Sequence, residues 1–294
     1  MKKPGIAVLG SGRVGSALGR LWMDAGEEVV TVASRRAARA RSAAEFIGIK
    51  RSTMRYAQAA QEGRWVVLAV VDDALPVVVS RLAASKLDWR GKVVLHTSGY
   101  HTADALQVLV RRGAEVGTLH PLMAVASPEE GVRRLPGAAF AVDGSKKALK
   151  VAGRLARAAG GWALRVPPDA RPGYHAAAVL AANCSVALID AAAEVMQRAG
   201  IPRRLALAAI APLVRGSVDN VSRLGPSRGL TGPVARGDAA TVQGHLQVLD
   251  GDVEEVYRCL SRRMISLANR VDPRTDRRAV ATVLGPSLPE RKRR

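Results

Sequence analysis

The first 25 residues hold the feature that most constrains the fold: a predicted strand that passes through a glycine-rich turn into a predicted helix. The apolar run Ile6–Leu9 predicts a buried strand, and the apolar spacing from Ser16 to Ala25 predicts an amphipathic helix. The turn between them carries Gly10, Gly12 and Gly15 in the pattern G-x-G-x-x-G. Alone the pattern is a weak signal, but between a strand and a helix it is typical of a dinucleotide-binding fold.

Each glycine of this turn has a physical task in holding a pyrophosphate. Gly10 permits the tight turn, Gly12 lets the backbone approach the ligand, and Gly15 lets helix and strand pack closely. The helix N-terminus adds free N–H groups and the positive end of the helix dipole. The candidate cofactor-binding residues in this turn are Gly10, Ser11, Gly12, Arg13, Val14 and Gly15. The alternative is a glycine turn in an unrelated α/β protein.

The end of the second predicted strand indicates which dinucleotide binds. The β-branched run from Glu28 to Ala33 predicts a parallel strand, and NAD-specific sites usually carry an Asp or Glu near its end. Here Ser34, Arg35 and Arg36 follow instead. A hydroxyl and two guanidinium groups suit a 2′-phosphate, so we expect NADP rather than NAD. A solvated basic loop is the alternative, because further arginines continue the run.

The order of the remaining elements predicts two folded domains. Further apolar runs predict strands at 65–71, 92–96, 115–119, 138–142 and 162–166, alternating with helices. From Arg171 onward the pattern predicts only helices, at about 174–199, 203–223, 238–249 and 252–270. We therefore expect an α/β Rossmann domain with a mostly parallel, doubly wound sheet over residues 1–168, and an all-α domain over 169–280. Residues 281–294 are expected to form a disordered basic tail.

Composition excludes several other classes of protein. The chain has 294 residues, of which 48% are hydrophobic, so a substantial core can form. The net charge of +20 comes from scattered residues that do not alternate with aromatic ones, so no specific nucleic-acid site is expected. The stretch 176–193 is interrupted by polar residues and predicts a buried helix, not a membrane span. The histidines show no metal-ligand spacing.

The two cysteines and the beginning of the chain predict its compartment. Cys184 and Cys259 have no partner spacing and lie in predicted helices, so we expect small core residues, not a disulfide. The first predicted strand begins almost at once, which leaves no room for a signal peptide before it. Both observations favour a cytoplasmic protein.

Polar side chains follow several predicted strands at the edge where ligands bind in such sheets. Val70 and Ser98 end two of the strands and are candidates for contact with the cofactor. Ser98 is also a candidate for binding a substrate carboxylate, or else stabilises a turn. His120 directly follows the strand at 115–119 and is a candidate proton donor, although a lone histidine is usually structural.

Two residues of the first long helix complete the catalytic candidates. His175 and Asn183 lie eight residues apart, so both can line one side of a cleft. Asn183 stands among small apolar neighbours, and burying its amide without a partner costs about 1–3 kcal/mol. We therefore expect Asn183 to have a definite partner, either the protein backbone or a ligand.

A glycine-rich segment from Gly229 to Asp238 precedes a predicted helix. Asp238 is the expected N-cap of that helix. Arg236 and Thr231 are candidates for binding an anionic substrate group, and the alternative for Arg236 is an ordinary surface charge.

Several motifs together resemble one family, the Rossmann-like proteins whose C-terminal half is classified as a domain of unknown function. The motifs are Gly10-x-Gly12-x-x-Gly15, His96-Thr-Ser98-Gly99, Leu119-His120-Pro121-Leu122, Tyr174-His175 with Asn183, and Leu230-Thr-Gly-Pro-Val-Ala-Arg-Gly-Asp238. The resemblance covers roughly residues 4 to 265. It implies a Rossmann domain, a helical domain like that of 6-phosphogluconate dehydrogenase, and a homodimer built through the helices. More distant likeness extends to pyrroline-5-carboxylate reductase, ketopantoate reductase, β-hydroxyacid dehydrogenases and deazaflavin-dependent NADP reductases.

One departure from the related enzymes affects the expected chemistry. Ketopantoate reductases and β-hydroxyacid dehydrogenases place a catalytic Lys near the beginning of this helix, whereas here no Lys lies between Lys150 and Lys292. Either His175 or His120 takes its role, or the reaction needs no such acid, as in reduction of an iminium. The expected function is an NADP-dependent oxidoreductase acting on a carbonyl or imine carbon of a small anionic substrate. The alternative is a non-catalytic NADP-binding sensor or partner protein.

Overall fold

The computed structural model describes residues 3–286 and divides the chain into two compact units, Met1–Ala182 and Asn183–Arg294. The strands of the first unit are β1 (Ile6–Leu9), β2 (Val29–Ala33), β3 (Ser52–Thr53), β4 (Trp65–Leu68), β5 (Val93–His96), β6 (Glu115–Thr118), β7 (His120–Pro121), β8 (Ala139–Val142) and β9 (Trp162–Arg165). Its helices are α1 (Arg13–Asp24), α2 (Ala37–Ile47), α3 (Tyr56–Glu62), α4 (Leu75–Ala84), α5 (Gln107–Val110), α6 (Pro128–Arg134) and α7 (Lys146–Ala158).

Six strands form the predicted parallel sheet. Their order is β3-β2-β1-β4-β5-β6, and every neighbouring pair is parallel. This is the order of the dinucleotide-binding Rossmann fold, in which the strand order reverses between β1 and β4. β1 and β4 are buried along their whole length, which explains their continuous apolar runs. The expected fold class is confirmed.

The last two predicted strands do not join this sheet. β8 and β9 pair in parallel, and β7 pairs antiparallel with β8, so that the three form a separate sheet in the order β7-β8-β9. His120 and Pro121 lie opposite Ala141 and Phe140 in this small sheet. The chain therefore changes sheets between Thr118, the last residue of β6, and His120.

The second unit is helical, as expected. It contains the larger part of α8 (Arg171–Arg198), and then α9 (Arg203–Gly229), α10 (Pro233–Arg236), α11 (Ala239–Leu246), α12 (Gly251–Asn269) and α13 (Arg278–Leu284). α9 is kinked at Gly225, whose φ of 74° is left-handed. α13 corrects the predicted tail, because residues 281–284 belong to a helix in which Val280 and Leu284 are fully buried. The rest of that tail, residues 287–294, lies outside the described residues.

α8 corrects the prediction of a buried helix. Among the described helices, the segment Pro168–Arg198 is long and apolar enough to cross a membrane by length and composition alone, a test that core helices of soluble proteins also pass. Only 6% of its apolar window is buried within the described chain. Cys184 on this helix and Cys259 on α12 are exposed and unpaired, so the expectation that they lie in the core was wrong. The apolar residues of α8 predicted burial, but within the described chain most of them remain exposed to solvent.

Candidate functional site

The three glycines of the turn after β1 have different surroundings. Gly10 has a φ of 120°, and a Cβ added there would lie 2.2 Å from the carbonyl oxygen of Ala69. A Cβ on Gly15 would lie 2.1 Å from the carbonyl oxygen of Gly10. A Cβ on Gly12 would meet nothing within 4 Å. Gly10 and Gly15 are therefore required by the protein's own packing, whereas Gly12 borders open space where a ligand can approach the backbone.

The N-terminus of α1 faces the same turn without a side-chain cap. Gly12 is its N-cap and supplies no side-chain oxygen, so the first N–H groups of the helix remain available to an anion. Arg13 is exposed, and its Nη1 donates to the carbonyl oxygen of Val125 at 3.3 Å. Val14 is half-buried against the core. These residues fit the phosphate-binding role predicted for the turn.

The end of β2 presents hydroxyl and guanidinium groups. Ser34 is buried, and its Oγ accepts a hydrogen bond from Ser11 Oγ at 2.7 Å. That bond leaves the hydroxyl proton of Ser34 free to donate. Arg35 and Arg36 are exposed beside it. Val70, two residues beyond β4, is half-buried and packs on the core of the first unit.

A second group of polar residues gathers where β5, β6 and β8 end and α8 begins. Ser98 is buried, and its Oγ accepts hydrogen bonds from the backbone N–H groups of Tyr100 at 3.2 Å and His101 at 3.0 Å. Ser98 therefore builds a turn, the structural alternative considered for it, and its hydroxyl proton remains available to a ligand. The next residue, Gly99, stands between two histidines.

Gly99 brings His120 and His175 together. A Cβ added at Gly99 would lie 2.8 Å from Nε2 of His120 and 2.8 Å from Cδ2 of His175. The two imidazole rings therefore both adjoin the backbone of Gly99, His120 from β7 and His175 from the beginning of α8. Tyr100 meets His175 edge-on, with ring centres 6.0 Å apart. The structure brings together three sequence-predicted residues, His120, His175 and Ser98, in the first unit.

His96 is fully buried and has both ring nitrogens occupied by the backbone. Its Nδ1 accepts from the N–H of Ser98 at 3.2 Å, so its Nε2 carries the proton and donates to the carbonyl oxygen of Thr102 at 2.9 Å. Burial lowers the pKa of His96 to about 4. His96 is therefore neutral near pH 7 and shapes the loop that holds Ser98.

His120 is hydrogen-bonded to a tyrosine that sequence reasoning did not single out. Its Nδ1 lies 2.8 Å from Oη of Tyr174, with the rings nearly perpendicular. Burial first, and then the positive charge of Arg171, lower the pKa of His120 to about 4. Near pH 7 His120 is therefore a neutral imidazole, not an imidazolium acid.

Arg171 lies beside Tyr174 and is paired with Asp143. The Arg171 side chain is fully buried, and its Nε donates to the carbonyl oxygen of His101 at 3.2 Å. Its Nη2 is 3.8 Å from Oδ2 of Asp143, and its guanidinium carbon is 5.8 Å from the centre of the Tyr174 ring. Asp143 accepts from the N–H of Ala103 at 3.1 Å. Burial raises the pKa of Asp143, an effect that Arg171 opposes.

Sequence reasoning passed over four residues of this group. Gly99 and Tyr174 both belong to motifs that carry the family resemblance, but no local pattern showed their contacts with His120. Arg171 and Asp143 come from segments 28 residues apart, and an isolated Arg and Asp carry no spacing signal. Only the fold shows that these residues share a site. Among residues 3–286, no group of three or more His, Cys, Asp and Glu has a metal-binding arrangement.

The other predicted residues belong to the second unit. Asn183 is exposed within the described chain, so the expectation of a buried amide was wrong. Thr231 and Arg236 are exposed as well. Asp238 is the N-cap of α11, as expected, because its Oδ1 accepts from the N–H of Thr241 at 3.0 Å. Arg236 is the last residue of the short helix α10, and Thr231 lies two residues before that helix begins. Gly232 and Gly237, on either side of α10, both have a positive φ.

The two neutral histidines make stability depend on pH. The pKa of His96 and of His120 is about 4 in the folded protein, below the ordinary 6.5. The unfolded chain therefore binds protons between pH 6.5 and pH 4 that the folded chain does not, and the free energy of unfolding falls as the pH drops through this range. Each histidine is expected to remove about 2 kcal/mol by pH 5.

Urea unfolding at pH 7 and pH 5 measures this loss. His120→Gln removes one titrating group, so its loss between the two pH values should be smaller than that of the unchanged protein. A protein that is as stable at pH 5 as at pH 7 would contradict the neutral state of both rings in the folded protein.

Two family models match this chain, one in each half. A Rossmann-like domain model matches residues 2–121, and a domain of unknown function, DUF2520, matches residues 138–264. No curated protein matches the sequence.

Among solved structures, a Bacteroides fragilis protein assigned as an NADP oxidoreductase is 21% identical, with a TM-score of 0.72 over 90% of this chain and 98% of its own. A protein from Thermotoga maritima is 22% identical, with a TM-score of 0.68 over 90% of this chain and 98% of its own. A reductive aminase from Aspergillus terreus, in complex with NADPH and ethyl-5-oxohexanoate, is 17% identical, with a TM-score of 0.64 over 92% of this chain and 99% of its own.

At these identities the solved structures show the fold. The domain models name its two parts, and the first of them spans the strands and glycines described above. The chain therefore contains a Rossmann-like domain followed by a domain of the DUF2520 family.

Proposed function

We propose that the protein is an NADP-dependent oxidoreductase that transfers a hydride between the nicotinamide and a carbonyl or imine carbon of a small anionic substrate. The observation that carries the proposal is the turn after β1, where Gly10 and Gly15 are packed against backbone while Gly12 borders open space at an uncapped helix N-terminus. This arrangement fits a pyrophosphate. A bound NADPH supplies the hydride, and the protein supplies orientation and polar groups.

The solved structures support the same cofactor. The Bacteroides fragilis protein is assigned as an NADP oxidoreductase, and the Aspergillus terreus reductive aminase was solved with NADPH. In this chain the end of β2 carries Ser34 and Arg35 where an NAD-specific site carries an acid. Ser34 has a free hydroxyl proton, and the exposed Arg35 guanidinium can bind a phosphate through two parallel N–H groups.

The reacting carbon is assigned to the space beside Gly99. His120 and His175 adjoin this glycine, and the buried Ser98 retains a hydroxyl proton that can donate to the substrate or to the cofactor. In the proposal the two histidines interact with the group that is reduced. Asn183, Thr231 and Arg236 belong to the second unit, and their proposed roles in binding the substrate rest on the family resemblance and on residue type alone.

Titration of the purified protein with NADPH and with NADH tests the proposal. We expect tighter binding of NADPH, and we expect Arg35→Ala to reduce that preference about tenfold to a hundredfold, because one charge-assisted hydrogen bond contributes about 1.5–3 kcal/mol. Arg41→Ala on α2 removes the same charge from another exposed position and serves as the matched control. Failure of both nucleotides to bind would end the oxidoreductase proposal.

We propose further that the chain works as a cytoplasmic homodimer through its C-terminal helices. Apolar grooves of about 600 Å³ and 570 Å³ lie on the two sides of α8, the first beside α12 and the second beside α9. Large apolar side chains remain exposed on α8 and α9, among them Leu180, Val186, Leu188, Leu213 and Val218. Surfaces of this kind usually bind another protein. Sedimentation equilibrium tests the state: a mass of one 31.0 kDa chain would contradict a dimer.

A further inference from the structure

The bond between Tyr174 and His120 leaves one ring nitrogen of the histidine unused. Nδ1 is 2.8 Å from Oη of Tyr174. Nε2 has no hydrogen-bond partner among residues 3–286, and it is also absent from the buried atoms that lack a partner, so solvent reaches it. It borders the bare backbone of Gly99. A ligand beside Gly99 therefore meets Nε2 of His120.

The direction of the hydrogen bond decides what Nε2 offers. If Nδ1 donated to Tyr174, the phenol proton would need a second acceptor, and no described residue supplies one. If Tyr174 donates, the phenol proton and Nδ1 satisfy each other, and the neutral ring carries its single proton on Nε2, which solvent or a ligand reaches. The guanidinium of Arg171, 5.8 Å from the ring centre of Tyr174, also favours the phenol as donor. Burial keeps the imidazole itself neutral, with a pKa of about 4.

We propose that Tyr174 fixes neutral His120 as an Nε2–H donor, and that the site is thereby built to reduce a carbonyl group and to disfavour an iminium. The second part rests on the proposed function. A carbonyl oxygen has lone pairs that accept a hydrogen bond from Nε2–H. An iminium nitrogen has no lone pair that could accept this bond. If the iminium carries an N–H, that N–H would face the Nε2–H of His120, and two donors repel each other.

The local charge favours the same choice. The positive charge of Arg171 lowers the pKa of His120, and the negative charge of Asp72 opposes this effect more weakly. A cationic iminium is disfavoured there, whereas the negative charge that develops on a carbonyl oxygen during reduction is stabilised.

The proton transfers balance in this arrangement. The carbonyl carbon receives the hydride, and the electron pair of the C=O bond moves to oxygen. The oxygen takes the proton from Nε2 of His120, and Nδ1 takes the phenol proton of Tyr174. After the product leaves, Nδ1 returns the proton to the phenolate, which lies near Arg171, and solvent supplies a new proton to Nε2. His120 is the catalytic residue, and Tyr174 positions its proton.

Nitrogen NMR of the protein labelled with ¹⁵N-histidine tests the tautomer without any substrate. The His120 signals, assigned with His120→Asn, should show a protonated Nε2 and an unprotonated Nδ1 at pH 7. Tyr174→Phe keeps the ring but removes the hydroxyl, and should shift the tautomer ratio about fivefold toward Nδ1–H, the factor of one net hydrogen bond. Tyr100→Phe, whose ring contacts His175, is the matched control and should leave His120 unchanged. A protonated Nδ1 in the unchanged protein, or no effect of Tyr174→Phe, overturns the proposal.

A matched pair of probes tests the choice of substrate class. Pyruvate and 1-methyl-1-pyrrolinium-2-carboxylate share a carboxylate but present C=O and C=N⁺, respectively. With the NADP⁺-loaded protein, pyruvate should shift the Nε2–H signal of His120 and the pyrrolinium should not. A stronger response to the pyrrolinium, or none to either probe, overturns the carbonyl preference. Failure of NADP(H) to bind would instead refute the proposed function, while the tautomer measured on the protein alone would stand.

Discussion

Gly12→Val is expected to abolish tight binding of NADPH while leaving the protein folded. A Cβ at Gly12 meets nothing within 4 Å, and the residue has an extended backbone with a φ of −78°, which valine adopts without strain. The new side chain would fill the space where a pyrophosphate approaches the N-terminus of α1. Losing even one or two charge-assisted hydrogen bonds to the phosphates weakens binding by about a hundredfold.

Calorimetric titration with NADPH, paired with thermal unfolding, measures both halves of this expectation. Gly15→Ala is the informative counterpart, because its Cβ would lie 2.1 Å from the carbonyl oxygen of Gly10. That variant should lower the unfolding temperature, whereas Gly12→Val should leave it nearly unchanged. Normal NADPH affinity in Gly12→Val would show that the cofactor does not approach this turn.

Arg277→Ala is expected to lower the free energy of unfolding of the second unit by about 3–5 kcal/mol. Arg277 is buried, and its guanidinium donates to the carbonyl oxygens of Ala235, Asp272 and Thr275 and to Oδ1 of Asn269. Alanine removes the hydrogen bonds from a buried charged donor to these oxygens, and a hydrogen bond to a charged group contributes about 1.5–3 kcal/mol. Urea unfolding followed by circular dichroism measures the loss.

The neighbouring arginine provides a matched control. The side chain of Arg278 is 91% exposed and bonds only to Asp276 among the described residues, so Arg278→Ala should change stability by no more than about 0.5 kcal/mol. Equal effects of the two substitutions would refute the structural role of Arg277. Because Ala235 belongs to α10, the same variant also tests how firmly the segment of Thr231 and Arg236 is held.

The parallel sheet and the glycine turn could be predicted because their signals are local. β1, the turn and α1 follow one another within the first 24 residues. Gly10 is required by its contact with Ala69, directly after β4, and Gly15 by its contact with Gly10. The missing acid after β2 is equally local. The separate sheet of β7, β8 and β9 could not be predicted. Nothing in the run at 138–142 distinguishes a strand of the main sheet from one that pairs with His120.

The polar group around His120 could be predicted only in part. His120 and Ser98 stood at strand ends, where topology brings residues together. The bond from His120 to Tyr174 joins residues 54 apart, and the ion pair of Arg171 with Asp143 has no motif. Their chemistry depends on burial: the low pKa of His120 comes first from desolvation, which a sequence does not show.

The exposed face of α8 shows that a sequence does not reveal what buries an apolar helix. An apolar stretch predicts that a helix will be covered, but it does not say by what. For Asn183 and Cys184 the prediction assumed cover from the chain's own core, and the described chain does not provide it.

The change of sheets between Thr118 and His120 has a consequence for local unfolding. The glycine turn follows a central strand of the six-stranded sheet, whereas His120 begins a two-residue strand at the edge of the small one. Edge strands with few backbone hydrogen bonds open more readily than central ones. A transient opening of β7 would move the imidazole of His120 away from Gly99 and leave the glycine turn after β1 intact. Under the proposed mechanism, the protein would then hold its cofactor without the proton donor beside it.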